Sequence, residues 1–259
     1  MSGTRQKGLI LQGRDRRLLE ELGLMRIIDR EAAKIVAGFN STTRANTRLL
    51  MLTRGGLLRR FFVGSVAFGR KAVYTLSPKG AALVHAQFPG IQRPAERLVV
   101  GDRFVAHQSL ANDIYIAAKY RPAPDPSYRL VRWLNFGREL AEGIKLKPDG
   151  YFEIQSGGQN RAMFLEVDIG SEPLQTWQEK TGYYLQLALS GQFQQRFRQQ
   201  KFRVLVICTS DLRLRHVRSV VGKQTDKIFW FSTFESINRR GFWSQVWLRP
   251  TGDQSMALL

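Results

Sequence analysis

The chain has 259 residues, 43% of them hydrophobic, and 40 Lys and Arg against 21 Asp and Glu, for a net charge of +19 and a pI near 10.8. That length suits two ordinary domains, and the charge selects a polyanionic partner over a neutral small molecule. A single cysteine, Cys208, excludes an intramolecular disulfide framework, three histidines argue against a His/Cys zinc site, and no apolar run nears the ~20 residues that span a bilayer. With no signal-like opening segment, the expected location is the reducing cytoplasm, with no membrane partner.

Residues 1–13 read as a basic arm. Leu18, Leu19, Leu22, Leu24 and Met25 predict a first helix from about Arg14, and a second is expected over Arg30–Ala37. Gly38-Phe39-Asn40 is a turn, and Ser41 is a good N-cap for a third helix that Gly55-Gly56 stops. Two short helices, a Gly-containing turn and a third helix make the helix-turn-helix pattern. Strands over Leu57–Val63 and Ala72–Leu76, joined by Gly64–Gly69, form a hairpin wing, and Ser77-Pro78 opens a closing helix. A winged helix-turn-helix over 14–88 is therefore expected, with a linker at 89–103 marked by Phe88-Pro-Gly-Ile-Gln-Arg-Pro94.

Charge agrees with this. No Asp or Glu lies between Glu31 and Glu96, while ten Lys and Arg do. A solvated face mixes signs, so so long an acid-free stretch favours phosphate. The DNA-contacting candidates on the third helix are Ser41, Thr42, Thr43, Arg44, Asn46, Thr47, Arg48 and Arg54, residue types that read base edges or hold backbone. Arg59, Arg60, Arg70 and Lys71 are placed on the wing, against backbone. For Asn46 and the threonines, plain helix-surface polarity is the competing explanation.

Residues 104–250 read as a second domain, with 251–259 as a tail. A helix over Phe104–Tyr120 is followed by strands at Tyr128–Trp133, Gly150–Gln155 and Arg161–Asp168. A helix from about Glu172, a strand at Arg203–Thr209, a helix over Asp211–Val221 and a strand at Ile228–Ser232 complete it. Gly191–Lys201 reads as a polar, basic helix end able to touch DNA.

Within this order lies a cluster of charge. Alternation along the strand puts Glu166 and Asp168 on one face, away from Leu165 and Val167. Buried carboxylates need a proton, a cation or a partner. Asp149, in Lys-Pro-Asp-Gly (147–150), is a third carboxylate if its strand pairs beside this one, although Pro-Asp-Gly is also an ordinary turn. Lys180 falls between Trp177 and Tyr184 on the apolar face of the next helix and points inward.

Asp149, Glu166 and the strand-then-helix layout resemble the PD-(D/E)xK nuclease core. Where that motif has its lysine, Glu166-Val167-Asp168 holds Asp168, and Lys180 stands where some members carry the lysine on the following helix. The chain over about 14–235 is similar to the replication-relaxation family of plasmids and other mobile elements, which joins a winged helix-turn-helix to a nuclease-like domain. The resemblance implies an α+β protein whose second domain follows the αβββαβ order. It also implies a site in which Asp149 and Glu166 hold Mg²⁺ or Mn²⁺ and Asp149, Glu166, Asp168 and Lys180 are catalytic. Double-stranded DNA is the implied partner, and a homodimer or other mobile-element proteins remain open. Three functions stay in play: a metal-dependent DNA endonuclease; a non-catalytic regulator with an inactive nuclease fold, to which Asp168 at the lysine position points; and, more weakly, an RNA-binding protein, over which the winged arrangement favours duplex DNA.

Overall fold

The computed structural model describes residues 9–64, 71–86 and 102–259, with side chains from 104 onward in the last stretch. It is a mixed α+β architecture with a three-stranded and a five-stranded sheet among the described residues. The chain divides into two compact units after Ile116. Residues 65–69 of the expected wing turn, Arg70, and the linker as far as residue 101 lie outside the described residues.

The first unit begins with α1 (Gly13–Met25), a two-residue strand β1 (Ile28–Asp29), α2 (Arg30–Ala37) and α3 (Thr42–Arg54). It continues through β2 (Leu58–Val63), β3 (Lys71–Leu76) and the short α4 (Pro78–Leu83). Local chemistry sets the helix ends. The Asp29 carboxylate accepts the Ala32 N–H at 2.7 Å to cap α2, and Ser41 Oγ accepts the Arg44 N–H at 3.2 Å to cap α3. Between these helices Gly38 sits at φ 65°, in the left-handed region that glycine enters without strain. The sheet order is β1–β3–β2, all antiparallel, with Ile28 opposite Tyr74 and Leu58 opposite Leu76. Leu18, Leu22, Val36, Leu49, Leu52 and Leu76 are buried.

Helix α5 (Asp102–Tyr120) runs across the division between the units. Its first part belongs to the first unit: Asn112 Nδ2 donates to the Ile27 carbonyl at 2.8 Å, and the Tyr115 hydroxyl donates to Glu21.

The second unit contains β4 (Arg129–Leu134), β5 (Gly150–Ser156), β6 (Gln159–Asp168), α6 (Leu174–Leu189) and α7 (Gln192–Phe197). After these come β7 (Phe202–Cys208), α8 (Asp211–Gly222), β8 (Phe229–Thr233) and α9 (Phe234–Arg240). Its sheet runs β4–β5–β6–β7–β8, antiparallel through β6 and parallel from β6 to β8. From α5 to β7 the elements follow the expected αβββαβ order, with α7 inserted. Alternate residues of β6, Ala162 and Phe164, share a core with Trp177, Tyr184 and Leu187 of α6 and with Leu214, Val217 and Val221 of α8. This puts the even-numbered face of β6 under the helices. Cys208 is a buried free thiol, as expected, and burial foremost, then the charge of Asp168, pushes it up to about 12.

Four features depart from the sequence expectations. Strand β1 and helices α7 and α9 are additional elements. Helix α7 is separated from α6 at Gly191, which sits at φ 75°, and its Phe193 and Phe197, one turn apart, bury against Tyr151 and Phe164. The residues after 250 are not a free tail: Met256 pairs with Trp247, and the Leu258 side chain is buried.

Candidate functional site

Helix α3 presents two different sides. Ala45, Leu49 and Leu52 face the core, whereas Thr43, Arg44, Thr47 and Arg54 are exposed. Arg14 of α1 joins this exposed side, its guanidinium 5.6 Å from the Phe39 ring. Arg14, Thr43, Arg44, Thr47 and Met51 line a hollow of about 250 Å³. Arg14 is a residue that sequence reading missed, because its neighbours come from about thirty positions further along the chain.

The other α3 candidates are occupied. Arg48 turns inward, donating from Nε to Asp15 Oδ1 at 2.7 Å, from Nη2 to Asp15 Oδ2, and from Nη2 to the Ile10 carbonyl at 2.6 Å. Asp15 is fully buried, and its hydrogen bonds to Arg48 hold that guanidinium above its usual range. Arg48 is therefore corrected from base reader to internal partner. Ser41 serves as the α3 cap, Thr42 Oγ1 lies 3.5 Å from Lys34 Nζ, and Asn46 is half-buried. On the hairpin, Arg59 is half-buried, Arg60 is exposed with its guanidinium 5.0 Å from the Phe62 ring, and Lys71 pairs with Asp29.

Two carboxylates of the second unit, Asp149 and Glu166, lie near enough for the charge of one to act on the other. Gly150 stands opposite Leu165, and the Asp149 N–H donates to the Leu165 carbonyl at 3.0 Å, so Asp149 falls across from Glu166. Asp149 Oδ2 accepts the Val167 N–H at 2.7 Å, which fastens the end of the ladder. Glu166, 2% exposed, accepts from the Tyr184 hydroxyl at 2.6 Å and from Lys180 Nζ at 2.9 Å. Lys180 also donates to both oxygens of Glu172, at 2.9 and 3.1 Å, and stands over Trp177. Glu172, read as the start of the helix, lies just before α6, and its contact with Lys180 was not foreseen.

Electrostatics follow from this packing. Burial is the main force raising the Glu166 carboxyl; Lys180 opposes it and the charge of Asp149 adds to it. Burial pulls the Lys180 ammonium down, but Glu166 and Glu172 together outweigh it and hold it above its ordinary value. Tyr184 is raised well above its ordinary range, by burial and then by Glu166, so it stays a donor. Asp168 has a separate circle of partners. It accepts from Trp177 Nε1 at 2.5 Å, from the Gly170 N–H at 2.6 Å, and from Arg213 through Nε and Nη2 at 2.8 to 3.1 Å. Arg213 also holds the Glu172 carbonyl at 2.6 Å.

The expected divalent metal does not fit this arrangement as it stands. Glu166 already carries an ammonium and a phenol, and Asp149 carries a backbone N–H. Among the described residues no group of three or more His, Cys, Asp and Glu is arranged to hold a metal.

The sequence profile of the replication-relaxation family matches residues 17–201, 185 of the 259 positions. The chain belongs to the replication-relaxation family. The family match spans the first unit and the second as far as α7, so it takes in the α3 face, Asp149, Glu166, Asp168 and Lys180 alike. Comparison with curated proteins gave no match. Among solved structures, restriction endonuclease FokI bound to DNA aligns at 12% identity and a TM-score of 0.27, covering 86% of this chain and 43% of that one. Two chains with so low a score share too little geometry for one to inform the other. No helix among the described residues is long and apolar enough to cross a membrane.

Proposed function

We propose that this member of the replication-relaxation family is a double-stranded DNA-binding protein whose first unit is a winged helix-turn-helix. One observation carries the reading. The exposed side of α3 holds Arg44 and Arg54, in a stretch of sequence with no acidic residue from 32 to 95. Cations left without carboxylates of their own suit phosphate. The element order α1–β1–α2–α3–β2–β3 and the sheet order β1–β3–β2 support the winged arrangement. In it, α3 enters the major groove, with Thr43, Arg44 and Thr47 toward base edges. Arg14, Arg54, Arg59 and Arg60 hold backbone. Arg48 supports α3 from behind.

In this reading the second unit is a nuclease-like domain in which Glu166 is tied to Lys180 and Tyr184, Asp168 to Arg213 and Asp149 to the Val167 N–H, and these ties serve its stability. The test is selection of bound duplexes from a random pool with the purified chain. An enriched sequence that Arg44→Ala loses, and that Arg54→Ala merely weakens, is the expected result. No retention of any duplex at low salt would sink the proposal.

Metal-dependent cleavage of the same DNA is a second reading, favoured by the convergence of Asp149, Glu166 and Lys180. It requires Lys180 to release Glu166. Supercoiled DNA nicked in Mg²⁺ or Mn²⁺ by the wild-type chain, and not by Glu166→Ala, would support it; intact DNA in both would dismiss it.

A further inference from the structure

The second unit has a charged feature that its carboxylate network does not use. Strands β6, β7 and β8 run parallel, so they begin at one end of the sheet, and Asp149, Glu166 and Asp168 lie at the other. Arg161 precedes Glu166 by five residues, about 17 Å along an extended strand. Around these strand starts is an open cleft of about 1000 Å³ lined by Arg161, Arg198, Lys201, Arg203, Lys227 and Arg249, and by no acid.

The cleft is built, not merely decorated with mobile side chains. The guanidinium groups of Arg203 and Arg249 each lie 4.7 Å from the Trp230 ring. Backbone carbonyls hold both: Leu258 for Arg203, and Phe229, Asp226 and Lys227 for Arg249. Neither bonds a carboxylate among the described residues. Arg203 is lowered to about 10 by burial first and then by the neighbouring charges of Arg161 and Arg249. Gathering like charges this way costs stability that a bound anion returns.

Two acids adjoin the cleft, and only Asp226 offsets part of its charge, through Lys227 and Arg249. Glu153, buried on β5, accepts from Asn160 Nδ2 and Gln199 Nε2 at 3.2 Å each and so orients two lining amides. Asp226 stands at the rim, 3.4 Å from Lys227 Nζ. Arg198 ends α7 in the left-handed region at φ 59°, a conformation that non-glycine residues seldom adopt.

We propose that this cleft binds the phosphodiester backbone of DNA, as a second contact surface in the same chain. The inference rests on the DNA-binding reading above and extends it to the second unit. DNA carries a charge about every 1.7 Å of its axis. Six cations spread over three strand starts therefore match a run of phosphates better than a single one. The segment 198–201, basic in sequence, supplies one wall, and Arg161 with Lys227 supplies the others.

The test compares two triple variants of the full chain. One carries Arg161→Gln, Arg198→Gln and Lys227→Gln, all exposed positions in the cleft. The other removes the same charge elsewhere in the unit, through Arg215→Gln, Lys223→Gln and Arg239→Gln, also exposed. Binding to a random duplex is measured from low to moderate salt. The cleft variant should show a log–log salt slope shallower by about 2 to 3, at about 0.9 per lost contact. Its low-salt affinity should fall at least tenfold, with a melting temperature no lower than wild type, while the control variant stays within one slope unit of wild type. Equal slopes for all three chains would overturn the cleft and leave the DNA-binding reading standing. Loss of RNA affinity with duplex affinity intact would also overturn it. A wild-type chain that binds no duplex would fail the underlying reading itself.

Discussion

The exposed side of α3 and the buried network of β6 and α6 use the same residue types to opposite ends. In the network every named charge has an internal partner: Lys180 has Glu166 and Glu172, and Asp168 has Arg213. On α3, Arg48 follows that pattern with Asp15, whereas Arg44, four residues earlier and exposed, has no acidic partner among the described residues. An arginine's identity therefore says little about its role. What decides is whether the fold supplies its counter-charge or leaves that to a ligand.

The largest effects should come from the internal pairs. Arg213→Ala would strand the Asp168 carboxylate in the core and should cost about 3–5 kcal/mol of stability, as should Arg48→Ala by stranding Asp15. Denaturant midpoints measure both, and a loss below about 1 kcal/mol would show that these pairs are not what holds the fold. Next, Arg44→Ala should leave stability unchanged and weaken specific duplex binding by about 1–3 kcal/mol. If Arg44→Ala melts the protein instead, the contrast between the two arginines fails.

A third effect tests the turn that aims α3. Gly38→Ala meets no neighbouring atom, so only its backbone conformation is penalised, by about 1–2 kcal/mol. A cost near zero in thermal unfolding would show that the turn relaxes freely. The smallest effect concerns Asp113 on α5, whose side chain keeps exposure to solvent and is pushed up to about 6 by desolvation first and then by Asp29, with Lys71 opposing. Because its folded value lies above the ordinary one, its stabilising contribution is full below about pH 4 and is lost as pH rises through about 6. Asp113→Asn should accordingly melt higher than wild type at pH 7.5 and equally at pH 4. The reverse order would contradict that assignment.

Local signals were legible in the sequence. Ser41, Gly38 and the spacing of Ala45, Leu49 and Leu52 define α2 and α3, and the even-numbered face of β6 follows from alternation. Lys180 pointing inward was likewise readable from the apolar stripe of α6. Non-local pairings were not. Strand β1 exists only because Ile28 and Asp29 meet Tyr74 and Val73, and Arg213 reaches Asp168 from 45 positions away. Arg48 lay between these cases: three residues after Ala45 and four before Leu52, it falls on the inner side of α3, yet its partner Asp15 is on another helix. The cleft was half visible. Its basic 198–201 segment stands out in sequence, but its meeting with Arg161 and Arg249 depends on the parallel strand starts of β6 to β8.

The most direct test of the central claim is the salt dependence of duplex binding by the intact wild-type chain. Five or more phosphate contacts should give a log–log slope of about −4.5 or steeper, at about −0.9 per contact. A slope near zero would mean that the exposed cations of α3 and the strand-start cleft do not neutralise phosphate, and would contradict the account.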